Sequence, residues 1–185
     1  IKALPEGSRL VEPFAGSGVV FLNAPYPQFL LTDANADLIA LYLHLKQEGT
    51  RFIQYCKRFF CDENNQSEIY YQYRVAFNQS KPGSRKRAAL FLYLNRHGYN
   101  GLCRYNLSGQ YNVPFGRYTK PYFPEQELVF FYQKSQAAEF ITADFKHTLT
   151  RTQPGDIVYC DPPYAPLSST SQFTAYTRQR FGESE

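Results

Sequence analysis

The segment GDIVYCDPPYAPLSS, residues 155–169, places a carboxylate, two prolines and an aromatic ring directly after an apolar run. Proline has no backbone N–H and cannot sit within a sheet, so the strand over residues 157–160 must end at Asp161. The carboxylate can accept hydrogen bonds, the prolines fix the backbone, and Tyr164 can stack. One interpretation is a strand end with a satisfied aspartate and a packed tyrosine. The other is a rigid site made from the same groups.

Polar groups also follow the three other strands that the sequence predicts. Two glycines follow the first strand, an acid closes the second, and an acid with an aromatic follows the third: Gly16, Gly18, Asp33, Asp144 and Phe145. Open parallel sheets bind ligands outside the carboxyl ends of their strands, so we expect these groups to surround one cleft. The glycine pair alone also fits an ordinary strand-to-helix turn.

The acid at the end of the second strand narrows the ligand class. A carboxylate at the place of Asp33 can accept both hydroxyls of a ribose. A pyrophosphate-binding turn requires a third glycine, and none follows Gly18 at that spacing. The ligand is therefore expected to be a nucleoside without a diphosphate. S-adenosylmethionine fits, with its methionine end over the glycine turn and its ribose at Asp33.

The elements that position these groups form an α/β pattern at both ends of the chain. Strands are expected over 8–13, 28–32, 139–143 and 156–160. Helices are expected over 19–23, 37–49 and 125–136, and a further short helix is expected to end with residues 148–151. Between them we expect three amphipathic helices, over 51–60, 67–78 and 85–96, then a β-hairpin in 97–118 turning near Ser108 and Gly109. The sequence thus predicts an α/β domain in two pieces, 1–50 and 125–185, with an insertion over 51–124.

The charge distribution distinguishes the insertion from its surroundings. Residues 51–125 carry twelve Lys or Arg against four Asp or Glu, while the rest of the chain carries eight against twelve. A basic, tyrosine-rich segment between acidic flanks favours an insertion that binds a polyanion. A helical subdomain with ordinary solvated charges is the alternative.

Other features exclude several classes of protein. The four cysteines, Cys56, Cys61, Cys103 and Cys160, form no CxxC pair and have no histidine at metal spacing, so we expect reduced thiols and no metal. There is no apolar run that could span a bilayer and no signal peptide, so we expect no membrane partner. The sequence contains no Met and begins at Ile1, and we expect it to be a piece of a longer protein.

Five segments together carry a resemblance to a known family: VEPFAGSG (11–18), LTDAN (31–35), LYLNRHGYNGLCRYN (92–106), NVPFGRY (112–118) and VYCDPPYAPLS (158–168). They resemble the bacterial DNA adenine methylases of the Dam type, the D12 class of adenine-N6-specific DNA methyltransferases. The likeness covers nearly the whole chain, and the order of the segments is also similar. Two parts of the family pattern lie outside this sequence: an aromatic-rich GGK segment before the first strand, and the strands beyond Phe181.

The resemblance implies a truncated, Rossmann-like sheet of an S-adenosylmethionine-dependent methyltransferase, with an inserted DNA-recognition domain of helices and a β-hairpin. It implies cofactor contacts along the glycine turn and the neighbouring strand ends. These are Glu12, Pro13, Phe14, Ala15, Gly16, Ser17, Gly18, Asp33, Asp144, Phe145 and Asp161, with Asp144 and Phe145 bordering the adenine of the cofactor.

The resemblance also implies the chemistry of the first segment. The exocyclic amino nitrogen of adenine is a poor nucleophile, because its lone pair is delocalised into the ring. Asp161 and the backbone carbonyl of Pro162 would each accept a hydrogen bond from that nitrogen and aim its lone pair at the methyl group. Pro163 would keep the loop rigid. Tyr164 would stack on a base flipped out of the duplex.

The insertion would then read double-stranded DNA, with GATC as the target that the resemblance alone implies. Arg104 is expected to contact a guanine edge, Tyr99 to wedge between bases, and Asn100 to hold a base or face the space left by the flipped adenine. Phosphate contacts are expected from Arg85, Lys86, Arg87, Arg96, Arg117 and Lys120. The remaining DNA-binding candidates are Asn95, Leu102, Asn106 and Pro114.

Two alternatives remain at this point. An RNA methyltransferase acting on an exocyclic amine can use a similar D/N-PPY loop, although the basic insertion favours duplex DNA. A catalytically incomplete DNA-binding remnant would bind DNA and not the cofactor. For the main interpretation we expect a monomer in the bacterial cytoplasm, associated with the nucleoid.

Overall fold

The computed structural model describes residues 4–162, which divide into two compact units. Residues 4–53 and 125–161 form an α/β unit, and residues 54–124 form a mostly helical one. The elements in chain order are β1 (Arg9–Glu12), α1 (Val19–Asn23), β2 (Phe29–Asp33), α2 (Ala36–Glu48), α3 (Thr50–Lys57), α4 (Ser67–Gln79), α5 (Arg85–His97), α6 (Glu125–Ser135), β3 (Ala138–Thr142), α7 (Phe145–Leu149) and β4 (Asp156–Val158). Single 3-10 turns occur at Asp62–Asn64 and Tyr99–Gly101. No helix in 4–162 combines the length and apolar character needed to cross a membrane.

The sheet of the α/β unit has the order β3-β2-β1-β4, and all its pairings are parallel. The α/β class with a parallel sheet is therefore confirmed. Because β1 lies between β2 and β4, the strand order reverses at β1. In open α/β sheets such a reversal leaves a crevice beyond the carboxyl ends of the strands, which is where ligands bind.

Aromatic side chains form the core that supports this edge. Phe21 of α1 packs edge-on against Phe29 of β2, at 4.8 Å between ring centroids, and against Phe131 of α6, at 5.7 Å. Phe140 of β3 stacks on Phe131 at 5.7 Å, and Tyr42 of α2 lies 4.7 Å from Phe131. The helices are thus fixed to the sheet by buried rings, so the turn that begins α1 starts from a well-packed element.

The prediction of a buried strand over 156–160 is wrong in length and burial. β4 ends at Val158, whose exposed fraction is 41%, and Cys160 and Asp161 are exposed. β1 is the only neighbour of β4 among the described residues, so β4 is an edge strand of the described sheet. The backbone still follows β1 beyond Val158, because the amide of Tyr159 donates to the carbonyl of Val11 at 2.9 Å.

The three expected helices are present with shifted ends: α3 begins at Thr50 in the α/β unit and ends in the helical unit, which contains α4 and α5 entirely. α5 is its central element, because its residues from Arg87 to Leu94 are all buried. The hairpin expected in 97–118 is only partly formed. It turns at the expected place, with the amide of Gly109 donating to the carbonyl of Asn106 at 2.8 Å, but it contains isolated bridges in place of strands.

Side chains of α4 explain why the second arm of the hairpin, which follows the turn at Gly109, needs no regular ladder of backbone hydrogen bonds to a partner strand. Tyr70 and Arg74 both donate to the carbonyl of Val113 at 3.0 Å. Asn78 donates from Nδ2 to the carbonyl of Tyr111 at 3.1 Å and accepts from the Tyr111 amide at 2.9 Å. Residues spaced by four lie on one face of a helix, so this face satisfies backbone groups that a partner strand would otherwise pair.

Candidate functional site

The glycine turn after β1 is joined to the acid that closes β2. The amide of Gly16 donates to Oδ2 of Asp33 at 3.0 Å, and the amide of Asn35 donates to Oδ1 at 2.8 Å. Burial raises the pKa of Asp33 above its ordinary value, and these two amides oppose that rise. Each carboxylate oxygen keeps a further acceptor site, so Asp33 can still receive two hydroxyl donors.

Tyr42 holds the opposite side of the same turn. Its hydroxyl donates to the carbonyl of Gly16 at 2.5 Å, so both polar backbone groups of that glycine are bound by side chains. Gly16 and Gly18 have φ values of 46° and 70°, a conformation that favours glycine. Tyr42 was not among the residues that the sequence predicted for this site. No sequence pattern marks a tyrosine hydroxyl that will reach a turn 26 residues away.

Glu12, the last residue of β1, is a buried carboxylate with an unused oxygen. Its exposed fraction is 2%, and its Oε1 has no hydrogen-bond partner within residues 4–162. Burial raises the pKa of Glu12 to about 7, and the amide of Phe21 opposes the rise. A buried acceptor without a partner is costly, so this oxygen fits a cationic or hydrogen-bonding ligand group.

The segment that follows β3 contacts the residues before the glycine turn through a pair of aromatic rings. Phe145, the first residue of α7, stacks on Phe14 with 5.4 Å between ring centroids and 27° between planes. Asp144 is the N-cap of α7, and its Oδ1 accepts from the amide of Lys146 at 2.8 Å. The structure therefore brings Phe14 and Phe145 together, and Asp144 holds the helix that presents Phe145.

Two buried threonines, which sequence reasoning missed, connect these segments. The hydroxyls of Thr32 and Thr148 lie 2.6 Å apart, and Thr32 Oγ1 lies 3.3 Å from the carbonyl of Pro13. Thr148 Oγ1 lies 3.2 Å from the carbonyl of Asp144. This chain of polar contacts links the ends of β1 and β2 to α7. Pro13 and Ala15 are themselves buried, whereas Ser17 is exposed.

Asp161 and Pro162 follow β4 and are both exposed, which leaves their acceptor oxygens accessible to a ligand. Asp161 lies two residues after Tyr159, whose amide still pairs with β1. The carboxylate of Asp161 therefore follows β4, the strand that pairs with β1, and β1 leads into the glycine turn. Pro163 and Tyr164 lie outside the described residues. No group of His, Cys, Asp or Glu within 4–162 has the arrangement of a metal site, and none of the four cysteines forms a disulfide within that range.

In the helical unit, Arg104 is held by Asn112 across the partly formed hairpin. Its Nε donates to Asn112 Oδ1 at 2.8 Å and its Nη2 donates to the Asn112 carbonyl at 3.3 Å. Arg104 is half-buried, and it is oriented by these contacts and not free in solvent. An oriented guanidinium suits the reading of a base edge better than a mobile one.

Tyr99 and Asn100 lie on a tightly bonded turn. The amide of Tyr99 donates to the carbonyl of Pro114 at 2.9 Å, and the side chain of Asn95 donates to the carbonyl of Gly101 at 2.6 Å. Asn100 has a φ of 52°, which its residue type tolerates. The ring of Tyr99 is 51% exposed, so a rigid backbone presents an accessible aromatic.

The basic triplet at the start of α5 contains three different environments. Lys86 is exposed, and the guanidinium of Arg85 lies 4.0 Å from the centre of the Tyr55 ring. Arg87 is buried and donates to the carbonyls of Phe77 and Ser80, at 2.8 and 3.3 Å. Arg87 therefore closes the connection between α4 and α5. This geometry opposes the phosphate contact expected from Arg87, because its guanidinium is buried and already donates to two carbonyls.

The other candidate DNA contacts differ in accessibility. Pro114, Arg117 and Lys120 are exposed, and Leu102 is half-buried. Arg96 donates from Nε to the carbonyl of Tyr122 at 3.1 Å. The Oδ1 of Asn106 accepts from the amide of Gln110 at 2.9 Å, so its side chain stabilises the hairpin turn. Arg117 and Lys120 thus present charged N–H donors at the surface, whereas Oδ1 of Asn106 already has a local role.

Comparison with known proteins gives a consistent result. A model of the D12 class N6 adenine-specific DNA methyltransferase family matches residues 1–185. The chain is 53% identical over 178 residues to the DNA adenine methylase of Escherichia coli strain K12, covering 96% of this chain and 64% of that protein. The DNA adenine methylases of Vibrio cholerae and Serratia marcescens are also 53% identical over 178 residues, with 64% and 66% of their lengths covered. The chain thus spans slightly less than two thirds of these relatives.

Proposed function

This chain belongs to the D12 class of N6 adenine-specific DNA methyltransferases, and from this membership we propose that the protein methylates the N6 amino group of adenine in duplex DNA. S-adenosylmethionine, when bound, supplies the methyl group as an electrophilic sulfonium substituent. The proposed target is GATC, on the resemblance of residues 92–106 and 112–118. The proposed setting is the bacterial cytoplasm, with nucleoid DNA as partner and a monomeric protein.

The observation that carries this proposal is the hydrogen bond between the amide of Gly16, in the turn after β1, and the carboxylate of Asp33, at the end of β2. A glycine turn bound to an acid on the neighbouring strand is suited to a nucleoside, because the two carboxylate oxygens can still accept the ribose hydroxyls. The unpartnered Oε1 of Glu12 suits the ammonium of the methionine end. The residues present therefore fit S-adenosylmethionine.

The loop after β4 supplies the acceptors for the target base. Asp161 and the carbonyl of Pro162 accept the two N–H groups of the adenine amino nitrogen. Two fixed acceptors favour a pyramidal nitrogen and direct its lone pair, so the contribution of the protein is positioning and electrostatics. A base in a duplex cannot reach acceptors at a sheet edge, so the adenine is flipped out, and Tyr164 stacks on it.

The helical unit, residues 54–124, is the proposed DNA-recognition domain. Arg104 contacts a guanine, and the exposed ring of Tyr99 fills the gap in the base stack. Lys86, Arg117 and Lys120 are exposed cations that suit phosphates. The unit as a whole supplies the positive charge that attracts the DNA backbone.

Methyl transfer on three substrates tests the proposal. The full-length protein is incubated with methyl-labelled S-adenosylmethionine and a duplex containing one GATC, a duplex with the site scrambled, or an RNA hairpin. We expect label only in the GATC duplex, recovered as N6-methyladenine. Transfer to RNA without transfer to DNA would support the RNA alternative. Binding of DNA without binding of the cofactor would support a remnant.

A further inference from the structure

Asn112 holds one edge of the Arg104 guanidinium, and no hydrogen bond within residues 4–162 occupies the other edge. The two contacts from Nε and Nη2, at 2.8 and 3.3 Å, occupy the edge that those two nitrogens share. A guanidinium has about five N–H donors, and the remaining ones lie on Nη1 and on the outer side of Nη2. That free edge can form two parallel hydrogen bonds to the O6 and N7 atoms of a guanine.

The residue that holds Arg104 is itself fixed to a helix. Asn112 lies between Tyr111 and Val113, and both of these are bonded through their backbones to side chains of α4, as described above. The amide of Asn112 also donates to the carbonyl of Arg104 at 3.1 Å. Asn112 therefore connects the guanidinium to the rigid part of the helical unit.

We propose that Asn112 is a positioning residue for sequence recognition: it orients Arg104 so that discrimination between DNA sequences depends on the Asn112 side chain. This inference rests on the proposed function of Arg104. A free arginine must be ordered when it binds, and holding it beforehand removes part of that cost. The smaller ordering cost strengthens binding only on a duplex in which the other edge of Arg104 bonds a guanine. Orientation by Asn112 therefore increases discrimination between duplexes more than it increases affinity for all of them.

The contrast with Arg87 supports a role in binding over a purely internal one. Arg87 is buried, its guanidinium lies 4.0 Å from the centre of the Phe77 ring, and it bonds two carbonyls. Arg104 is only half-buried, and within the part of the chain that the structure describes its side chain bonds to a single residue. Arg87 is arranged as a brace, whereas Arg104 is arranged with an edge left for a ligand.

The test is a double-mutant cycle on the full-length protein. Dissociation constants are measured for a GATC duplex and for the same duplex with its guanine replaced, for wild type, Arg104→Ala, Asn112→Ala and the double variant. Discrimination is the ratio of the dissociation constant for the replaced duplex to that for the GATC duplex. We expect Arg104→Ala to lower this ratio by about 5- to 150-fold. We expect Asn112→Ala to lower it by about two- to tenfold, with no further loss in the Arg104→Ala background.

Two further variants separate positioning from general damage. Asn112→Asp keeps the acceptor for Nε, so it should preserve the ratio while weakening both duplexes through its added negative charge. Asn78→Ala removes an amide that anchors the same arm without touching the guanidinium, and it should lower the ratio by less than Asn112→Ala does. If Asn112→Ala does not fold, Asn112→Ser replaces it, because a serine is too short to reach Nε.

The outcomes distinguish the inference from the function on which it rests. If Arg104→Ala leaves the ratio unchanged, Arg104 does not read a base and both ideas fail. If Arg104→Ala lowers the ratio but Asn112→Ala does not, only the inference fails. It also fails if Asn112→Ala weakens every duplex equally, which indicates a phosphate contact, or if Asn78→Ala lowers the ratio as much, which indicates loss of hairpin structure.

Discussion

The carboxylate of Asp33, at the end of β2, accepts a hydrogen bond of 3.0 Å from the amide of Gly16, in the turn that follows the adjacent parallel strand β1. This contact gives Asp33 two tasks, since it shapes the glycine turn and offers acceptors to a ligand. A change at Asp33 should therefore affect the cofactor site more than the loss of a ribose contact alone.

Asp33→Ala is expected to weaken S-adenosylmethionine binding by about 1.5–3 kcal/mol for each charged hydrogen bond lost to the ribose. Asp33→Asn keeps one acceptor oxygen for the turn or for the ribose, and should give a smaller loss. Calorimetric titration of the full-length protein with the cofactor measures both. Unchanged affinity in Asp33→Ala would remove this residue from the site.

Tyr42→Phe isolates the effect of the turn. It removes only the hydroxyl that donates to Gly16, and Phe keeps the ring packing against Phe131. We expect the cofactor affinity to fall by about 0.5–1.5 kcal/mol, the usual value of one neutral hydrogen bond. The KM for the cofactor should rise with little change in kcat. An equal fall in kcat would place Tyr42 in the chemical step and not in positioning.

Glu12 should make the stability of the protein depend on pH. Its pKa is about 7 in the folded state against an ordinary value of 4.5, so the folded state holds this proton over a wider range of pH. The associated stability is complete below the ordinary value and is lost as the pH rises to about 7, by about 1.4 kcal/mol per pH unit. The Glu12→Gln side chain cannot ionise. As the pH rises between these two values, the free energy of unfolding of wild type should therefore fall relative to that of Glu12→Gln.

Urea denaturation at several pH values provides the measurement, and Glu6→Gln, at an exposed glutamate, is the control. A bound ammonium favours the charged carboxylate, so the cofactor affinity of wild type should also rise with pH over this range. Parallel stability curves for wild type and Glu12→Gln would show that Glu12 is charged in the folded protein and would contradict its assigned environment.

The neighbours Lys86 and Arg87 should respond in opposite ways to truncation. Arg87→Ala removes two charge-assisted hydrogen bonds inside the helical unit, and we expect it to cost about 2–4 kcal/mol of stability. Lys86→Ala should leave stability unchanged, weaken every duplex equally and lower the salt slope by about one unit. Thermal unfolding and titration at several salt concentrations test both. A stable Arg87→Ala variant with a reduced salt slope would reverse the assignment.

The sequence predicts the ends of β1, β2 and β3 to within one residue, because the glycines and acids that follow these strands are local signals. Gly16, Asp33 and Asp161 each follow an apolar run, and the parallel sheet brings such ends to one edge whatever the remaining packing is. The three helices before the hairpin were also identified within a few residues, because their apolar residues recur at the helical period.

Contacts between distant segments explain what the sequence did not predict. Asn35 caps α2 by accepting from the amides of Asp37 and Leu38, which moves the helix start one residue before Asp37. The role of Arg87 was misassigned because residue type does not reveal burial. The hairpin lacks strands because α4 satisfies its backbone, and the exposure of β4 depends on its place at the edge of the described sheet.

Methyl transfer by wild type and by Asp161→Ala, in the full-length protein on a GATC duplex, tests the central claim most directly. Asp161 is proposed to act on the flipped adenine and not on phosphates. We therefore expect transfer to fall by about a hundredfold or more while the DNA dissociation constant changes by less than about twofold. Transfer within about tenfold of wild type, a barrier change under about 1.4 kcal/mol, would contradict the proposed role of the DPPY loop.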